Sequence, residues 1–220
     1  MASNVAGYFG FTQRAGQGST PSYEFAAGFR NGAIDYGNAA IYFGDPVVRT
    51  ASTGSPPDGT IEQAAGSAGG STVTLAGIFY GCKYLSTSQK RIVWSNYWPG
   101  SDVTSANQST IEAYVVNDRN AQFLCQSDAT GICQSQVGSN FDFAIGTGTA
   151  ANGLSGAYLL HTPVTTAAYP FRLVSLVLDP PGSPGTAVAA SSPTTTASPY
   201  AYGVVAFNNQ ELKNTTAVNS

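Results

Sequence analysis

His161 is the only histidine in this chain, and it limits what can be done by proton transfer. A Ser/His/Asp triad would have to be built around it. It stands in the plain run Leu160-His161-Thr162-Pro163, and no Gly-x-Ser-x-Gly elbow accompanies it. Paired carboxylates are the next chemistry to weigh, because a glycosidase needs two of them roughly 5 to 9 Å apart across a groove. The glutamates are Glu24, Glu62, Glu112 and Glu211, each in ordinary surroundings, while Asp45, Asp58 and Asp179 precede Pro or Gly as turn residues do. Cys82, Cys125 and Cys133 are an odd number with no Cys/His cluster beside them, so neither a fully paired framework nor a zinc site is expected. Cys125 and Cys133 flank the turn-like Ser127–Gly131 and could face each other across a hairpin, whereas a reducing compartment favours three free thiols. Gly146-x-Gly148 lacks the context of a dinucleotide motif. The expectation is a protein that is no enzyme and holds no cofactor and no metal.

The aromatic residues point elsewhere. Tyr8, Phe9 and Phe11 lie within four positions and are followed by Arg14, a concentration that a disordered tail seldom carries because exposed rings favour contact. They predict an arm, residues 1–22, that docks on a neighbouring protein. Trp94, Tyr97 and Trp98 form a second group, suited to a protein-contact hot spot, to stacking on carbohydrate, or to the chain's own core.

The elements that must position these rings read as strands. From Ser71 to Pro99 two apolar runs flank Ser86-Thr87-Ser88-Gln89, which predicts a central hairpin. Alternation places Val73, Leu75 and Phe79 on one face of the first arm, with Ile78, Tyr80, Cys82 and Tyr84 on the other. Ile92, Trp94 and Trp98 share a side of the return arm. Such a strand, apolar on both faces, needs cover on both. Gly77 and Gly81 leave room for a bulge, a bend or a neighbouring ring.

Further strands are expected at 23–29, 39–43, 47–49, 60–64, 171–178 and 201–207. Residues 111–116 and 121–125 read as a second hairpin across Asn117-Asp118-Arg119-Asn120, and 126–156 as loops with at most one weak strand. Residues 52–59, 65–71 and 183–200 are Gly/Ser/Thr/Pro-rich loops. No helix of ten residues, heptad or repeat is evident. The organisation expected is an N-terminal arm (1–22), one β-rich domain (23–212) and a C-terminal tail (213–220). Its fold class is all-β: a sandwich, jelly roll or barrel-like domain.

Over 220 residues only 10% are charged, against about 25% in an average soluble domain. The surface must therefore be built from neutral polar groups, which cost less to desolvate than charges. Net charge is −3 and no basic stripe is present, which argues against nucleic acid. No run reaches the roughly 18 apolar residues of a membrane span. The N-terminal MASNVAGYFGF lacks a basic region followed by an apolar one, so no secretory signal is expected.

Three runs taken in order carry a resemblance: Ile41-Tyr42-Phe43-Gly44-Asp45-Pro46-Val47-Val48, Gly77-Ile78-Phe79-Tyr80-Gly81-Cys82-Lys83-Tyr84 and Tyr97-Trp98-Pro99. Ala113–Asp118 with Phe123, and Val204–Asn208, extend it over 23–212. The chain resembles the decoration (cement) proteins of tailed-bacteriophage heads. The resemblance implies a structural virion protein on the outer capsid surface, assembled in the host cytoplasm. It would be a homotrimer that braces neighbouring major capsid proteins without catalysis. Residues 183–200 and the aromatic arm depart from that family's pattern. Tyr8, Phe9, Phe11 and Arg14 are the expected capsid contacts, with Trp94, Tyr97 and Trp98 as further capsid or oligomer contacts. The rival readings are a carbohydrate-binding β-sandwich module and a tail-fibre or adhesin piece.

Overall fold

The alternating run after Val73 forms the longest strand, β5 (Gly77–Leu85), and the other elements are best placed against it. The fold is that of a computed structural model, which describes residues 5–15, 24–25, 39–49, 60–66, 73–104, 110–161, 169–177 and 199–213. The chain is all-β. Its other strands are β1 (Thr12–Ala15), β2 (Glu24–Phe25), β3 (Pro46–Arg49), β4 (Ile61–Gln63), β6 (Ile92–Ser95), β7 (Glu112–Val116), β8 (Gln122–Gln126), β9 (Asn140–Phe141), β10 (Phe143–Thr149), β11 (Leu154–Leu159), β12 (Phe171–Leu176) and β13 (Tyr202–Phe207).

All ladders between these strands are antiparallel. One sheet runs β2-β7-β5-β3-β4 with β6 also on β5, a second runs β1-β8-β13-β12-β9, and β10 with β11 makes a ribbon. One edge of β5 is divided between two partners. Pro46 and Val47 pair with Ile78 and Gly77, and beyond them Ser95 to Ile92 pair with Cys82 to Leu85. Pro46 opens its strand, where its missing N–H is tolerated.

Both faces of β5 are buried at one end of the strand or the other. Ile78 joins a core with Val116, Phe123, Phe143, Phe171 and Phe207, drawn from both sheets and the ribbon in a layered packing consistent with a β-sandwich. Phe79, Cys82 and Tyr84 join a second core with Ile41, Val115 and Trp98. Strict alternation put Cys82 and Tyr84 with Ile78 and Tyr80. The difference is a bulge: pairing with β7 slips between Phe79 and Gly81, and Gly81 takes φ +145°. One extra residue turns everything after it to the opposite face.

Other expectations also change. The strands around Asn117–Asn120 do not pair with each other, because β7 lies in one sheet and β8 in the other. The Asp118 side chain accepts from Asn120 N (2.9 Å) in a turn that carries the chain between layers. Residues 126–156, expected as loops with at most one weak strand, contain β9, β10 and the first half of β11, and the β10–β11 turn is closed by Asn152-Gly153, with Gly153 at φ +70°. The 39–43 segment makes only isolated bridges, Ile41 to Trp98 and Phe43 to Leu154. The loop expected at 52–59, nearly all of 183–200 and the tail beyond Lys213 fall outside the described residues.

A buried carboxylate fastens three of these pieces together. Asp45 is fully buried and accepts from Tyr42 N (2.8 Å), Gln63 Nε2 (2.7 Å) and Ser155 Oγ (2.5 Å). Burial raises its pKa above the ordinary carboxylate value, and these hydrogen bonds only partly oppose that.

Candidate binding surface

The first aromatic group is built into the domain. Gln126, buried on β8, holds the approach: its Oε1 accepts from Gly7 N (2.9 Å), and its Nε2 donates to Val5 O (3.2 Å) and Tyr200 O (3.1 Å). Gly10, at φ +76°, brings the backbone against Gly44, where Phe11 N donates to Gly44 O (2.9 Å). A Cβ at Gly10 would lie 2.6 Å from Ser155 Cβ, so no larger residue fits. β1 then pairs with β8 at the edge of the five-stranded sheet, and Gln13 N donates to the Tyr80 hydroxyl.

The rings follow the backbone inward. Phe11 is 0% exposed and stacks on Phe171 with centroids 4.3 Å apart. Tyr8 stacks on Tyr158 at 4.2 Å, and Phe9 meets Tyr202 edge-on at 5.7 Å. The described part of the expected arm is therefore part of the sheet and core. Phe11 is corrected from a contact residue to a core residue, because fully burying a phenyl ring gains about 2 to 3 kcal/mol within the chain itself. Tyr8 and Phe9 are half-buried against partners in the same chain, and Arg14 is exposed.

The second group divides. On β6, Trp94 is 67% exposed and Ile92 58%, and both point to the same side, as alternation predicts. Trp94 lies opposite Lys83, whose Nζ is 5.2 Å from the indole centroid and 2.7 Å from Glu112 Oε1. The Trp94 ring is nearly parallel to Tyr114 of β7, at 9° and 6.0 Å. These side chains flank an indole that is still largely exposed. Tyr97 is half-buried and stacks on Tyr42 at 5.6 Å. Trp98 is 0% exposed, edge-on to Tyr84 at 5.2 Å, with its backbone bonded to Ile41 in both directions. Trp98 is thus corrected to a core residue. It lies beyond the end of β6, where alternation no longer governs.

The groups weighed for catalysis have structural partners. His161 N donates to Asp128 Oδ2 (2.9 Å), and its ring Nδ1 is hydrogen-bonded with Gly131 O. Asp128 Oδ1 accepts from Thr130 N and Gly131 N, both at 3.0 Å, so this pair secures a turn. Glu112 is tied to Lys83, and Glu211 accepts from Arg49 Nε at 2.7 and 2.8 Å. The three cysteines are free and buried, and burial pushes the Cys82 thiol up to about 12. Among the described residues no three His, Cys, Asp or Glu side chains gather as metal ligands would.

An open cleft of about 540 Å³ on the five-stranded sheet is lined by Arg14, Gln122, Ser175, Leu176, Val177 and Val204; of these, Leu176 also packs against the Phe-rich core. Nothing in the sequence signalled it, since its lining comes from four strands or strand ends far apart in the chain.

Comparison with protein-family models, with curated proteins and with solved structures finds no match to this chain.

Proposed function

We propose that the chain is a structural virion protein that binds the outer surface of a tailed-phage head, as a homotrimer, and cements neighbouring major capsid proteins. The observation that carries this reading is the Trp94–Ile92 side of β6, an apolar surface braced by Lys83, Glu112 and Tyr114 in a chain with only 10% charged residues. A rigid exposed ring loses little conformational freedom on contact, and neutral polar surroundings desolvate at modest cost. Interfaces of ordinary size bury about 1,600 Å², and repeating them over a shell multiplies modest contacts into large stability. The assignment to phage heads in particular rests on the resemblance of the Ile41–Val48, Gly77–Tyr84 and Tyr97–Pro99 runs.

Electron microscopy of purified particles with and without the protein tests it. Extra density on the outer face of the head, restored by adding the protein back, is the expected result. Density at the tail would favour a fibre or adhesin role, and no association with particles refutes the proposal. The exposure of the Trp94 indole favours a second reading, a carbohydrate-binding module. That reading requires indole fluorescence to change on titration with polysaccharides and to stop changing in W94A.

A further inference from the structure

We infer that the cleft on the five-stranded sheet is a carboxylate-binding site whose occupant is an acidic side chain on an extended segment of the capsid protein. The inference rests on the proposed head attachment and names the chemistry of one contact in it.

Two irregularities in strand pairing shape the cleft. In β1 the register passes from Gln13 opposite Phe123 to Ala15 opposite Gln122, so Arg14 is an extra residue pushed out of the ladder at the sheet edge. In β12 it passes from Leu173 opposite Val205 to Ser175 opposite Val204, so Val174 is extra there. Bulges at sheet edges re-aim side chains. Here one of them puts Arg14 on the wall of a concavity that is also lined by Gln122, Ser175, Leu176 and Val177. Val204 lies on the opposite side of β13 from Val205, which is in the Phe-rich core.

Pairing separates Arg14 from several of the chain's other cations. Arg49 is bound to Glu211, Lys83 to Glu112, and Arg172 Nε to Gly138 O at 2.9 Å. Among the described residues, no acceptor pairs with the Arg14 guanidinium. A guanidinium fork beside apolar surface matches a carboxylate in geometry and charge, with two parallel hydrogen bonds that a neutral amide cannot supply. From β1 to β12 is three strand spacings, about 14 Å, which an extended segment of about four residues spans. The volume lies within the range of sites that bury a ligand of that size. The chain's own charge of −3 gives an acidic partner no long-range attraction, so recognition must come from this local pairing.

The probes are Ac-Leu-Glu-Leu-NH2 and its Gln counterpart, titrated into the full chain while backbone amide shifts are followed. The Glu peptide should saturate shifts at Ala15, Gln122 and Ser175–Val177, with the Gln peptide and the R14Q variant each weaker by about tenfold. Equal binding of the two peptides, or shifts confined to other surfaces, overturns the inference. If D179N binds the Glu peptide more tightly than the native chain, a carboxylate of the chain itself fills the cleft, and the assignment to a partner is overturned. On purified heads, R14E should lose about tenfold in occupancy and R14K less. Heads that bind R14E as well as the native chain also overturn it. Heads that bind neither form refute the head attachment instead, while the peptide titration still decides the carboxylate site. R14Q and R14E must retain the native unfolding midpoint, as expected for an exposed side chain.

Discussion

The N-terminal segment from Tyr8 to Ala15 and the β5–β6 hairpin have the same ingredients, rings beside a cation, and use them in opposite ways. In the segment the rings turn inward, with Phe11 in the core and Tyr8 and Phe9 against Tyr158 and Tyr202, while Arg14 is left outside with no carboxylate partner among the described residues. In the hairpin the ring is outside and the cation is the tied member, with Lys83 held between Glu112 and the Trp94 indole. Residue type alone does not decide what a surface offers. Register does: Phe11 follows Gly10 into the interior, and Trp94 sits on the open side of a strand whose other side faces the second core.

If the two segments divide their roles in this way, the largest effect belongs to Phe11→Ala, which should lower unfolding free energy by about 3 to 5 kcal/mol in denaturant titrations. Trp94→Ala should lower it by less than about 1 kcal/mol. A small loss at Phe11 would mean that the segment is a detachable arm after all. For head binding the ranking inverts: Trp94→Ala should weaken attachment by about 2 kcal/mol or more, roughly thirtyfold, as an interface hot spot does. Full occupancy by that variant would remove the hairpin from the interface.

Asp45, close to where the segment passes Gly44, supplies a titration. A carboxyl whose folded-state pKa is raised binds more protons folded than unfolded, so its contribution to stability falls as pH rises from the ordinary carboxylate range through the raised value. Asp45→Asn should flatten that fall relative to the native chain. Parallel pH profiles of the two unfolding midpoints would show the carboxyl to be ordinary. The smallest effect is expected from Glu112→Gln, about 0.5 kcal/mol or less and fading with added salt, because the Lys83–Glu112 pair is still partly open to solvent.

Strands that alternate strongly were legible in advance, and β5, β12 and β13 lie where their Val, Leu, Phe and Tyr residues place them. β10 and β11 were not, because Gly146, Gly148 and Gly156 dilute the pattern. The Asn152-Gly153 pair was the available signal. The Asn117–Asn120 turn was visible, but not that it crosses between sheets, since local sequence does not say which sheet a strand joins. Exposure of Trp94 and burial of Trp98 divide at the end of β6, a boundary that periodicity does not mark. The Arg14 cleft depends on two bulges, and a single inserted residue leaves no trace in residue type.

The seat of Phe11 also orders events in time. Its stacking partner Phe171 and the central strand β13 lie some 160 to 200 positions further along the chain, so at ordinary translation speeds they emerge roughly 10 to 40 s later. Until then the seat of Phe11 is incomplete, although β8, the pairing partner of β1, has already been made. Closure of the fold by its early residues onto its late ones ties completion of the Phe-rich core to synthesis of the last described strands.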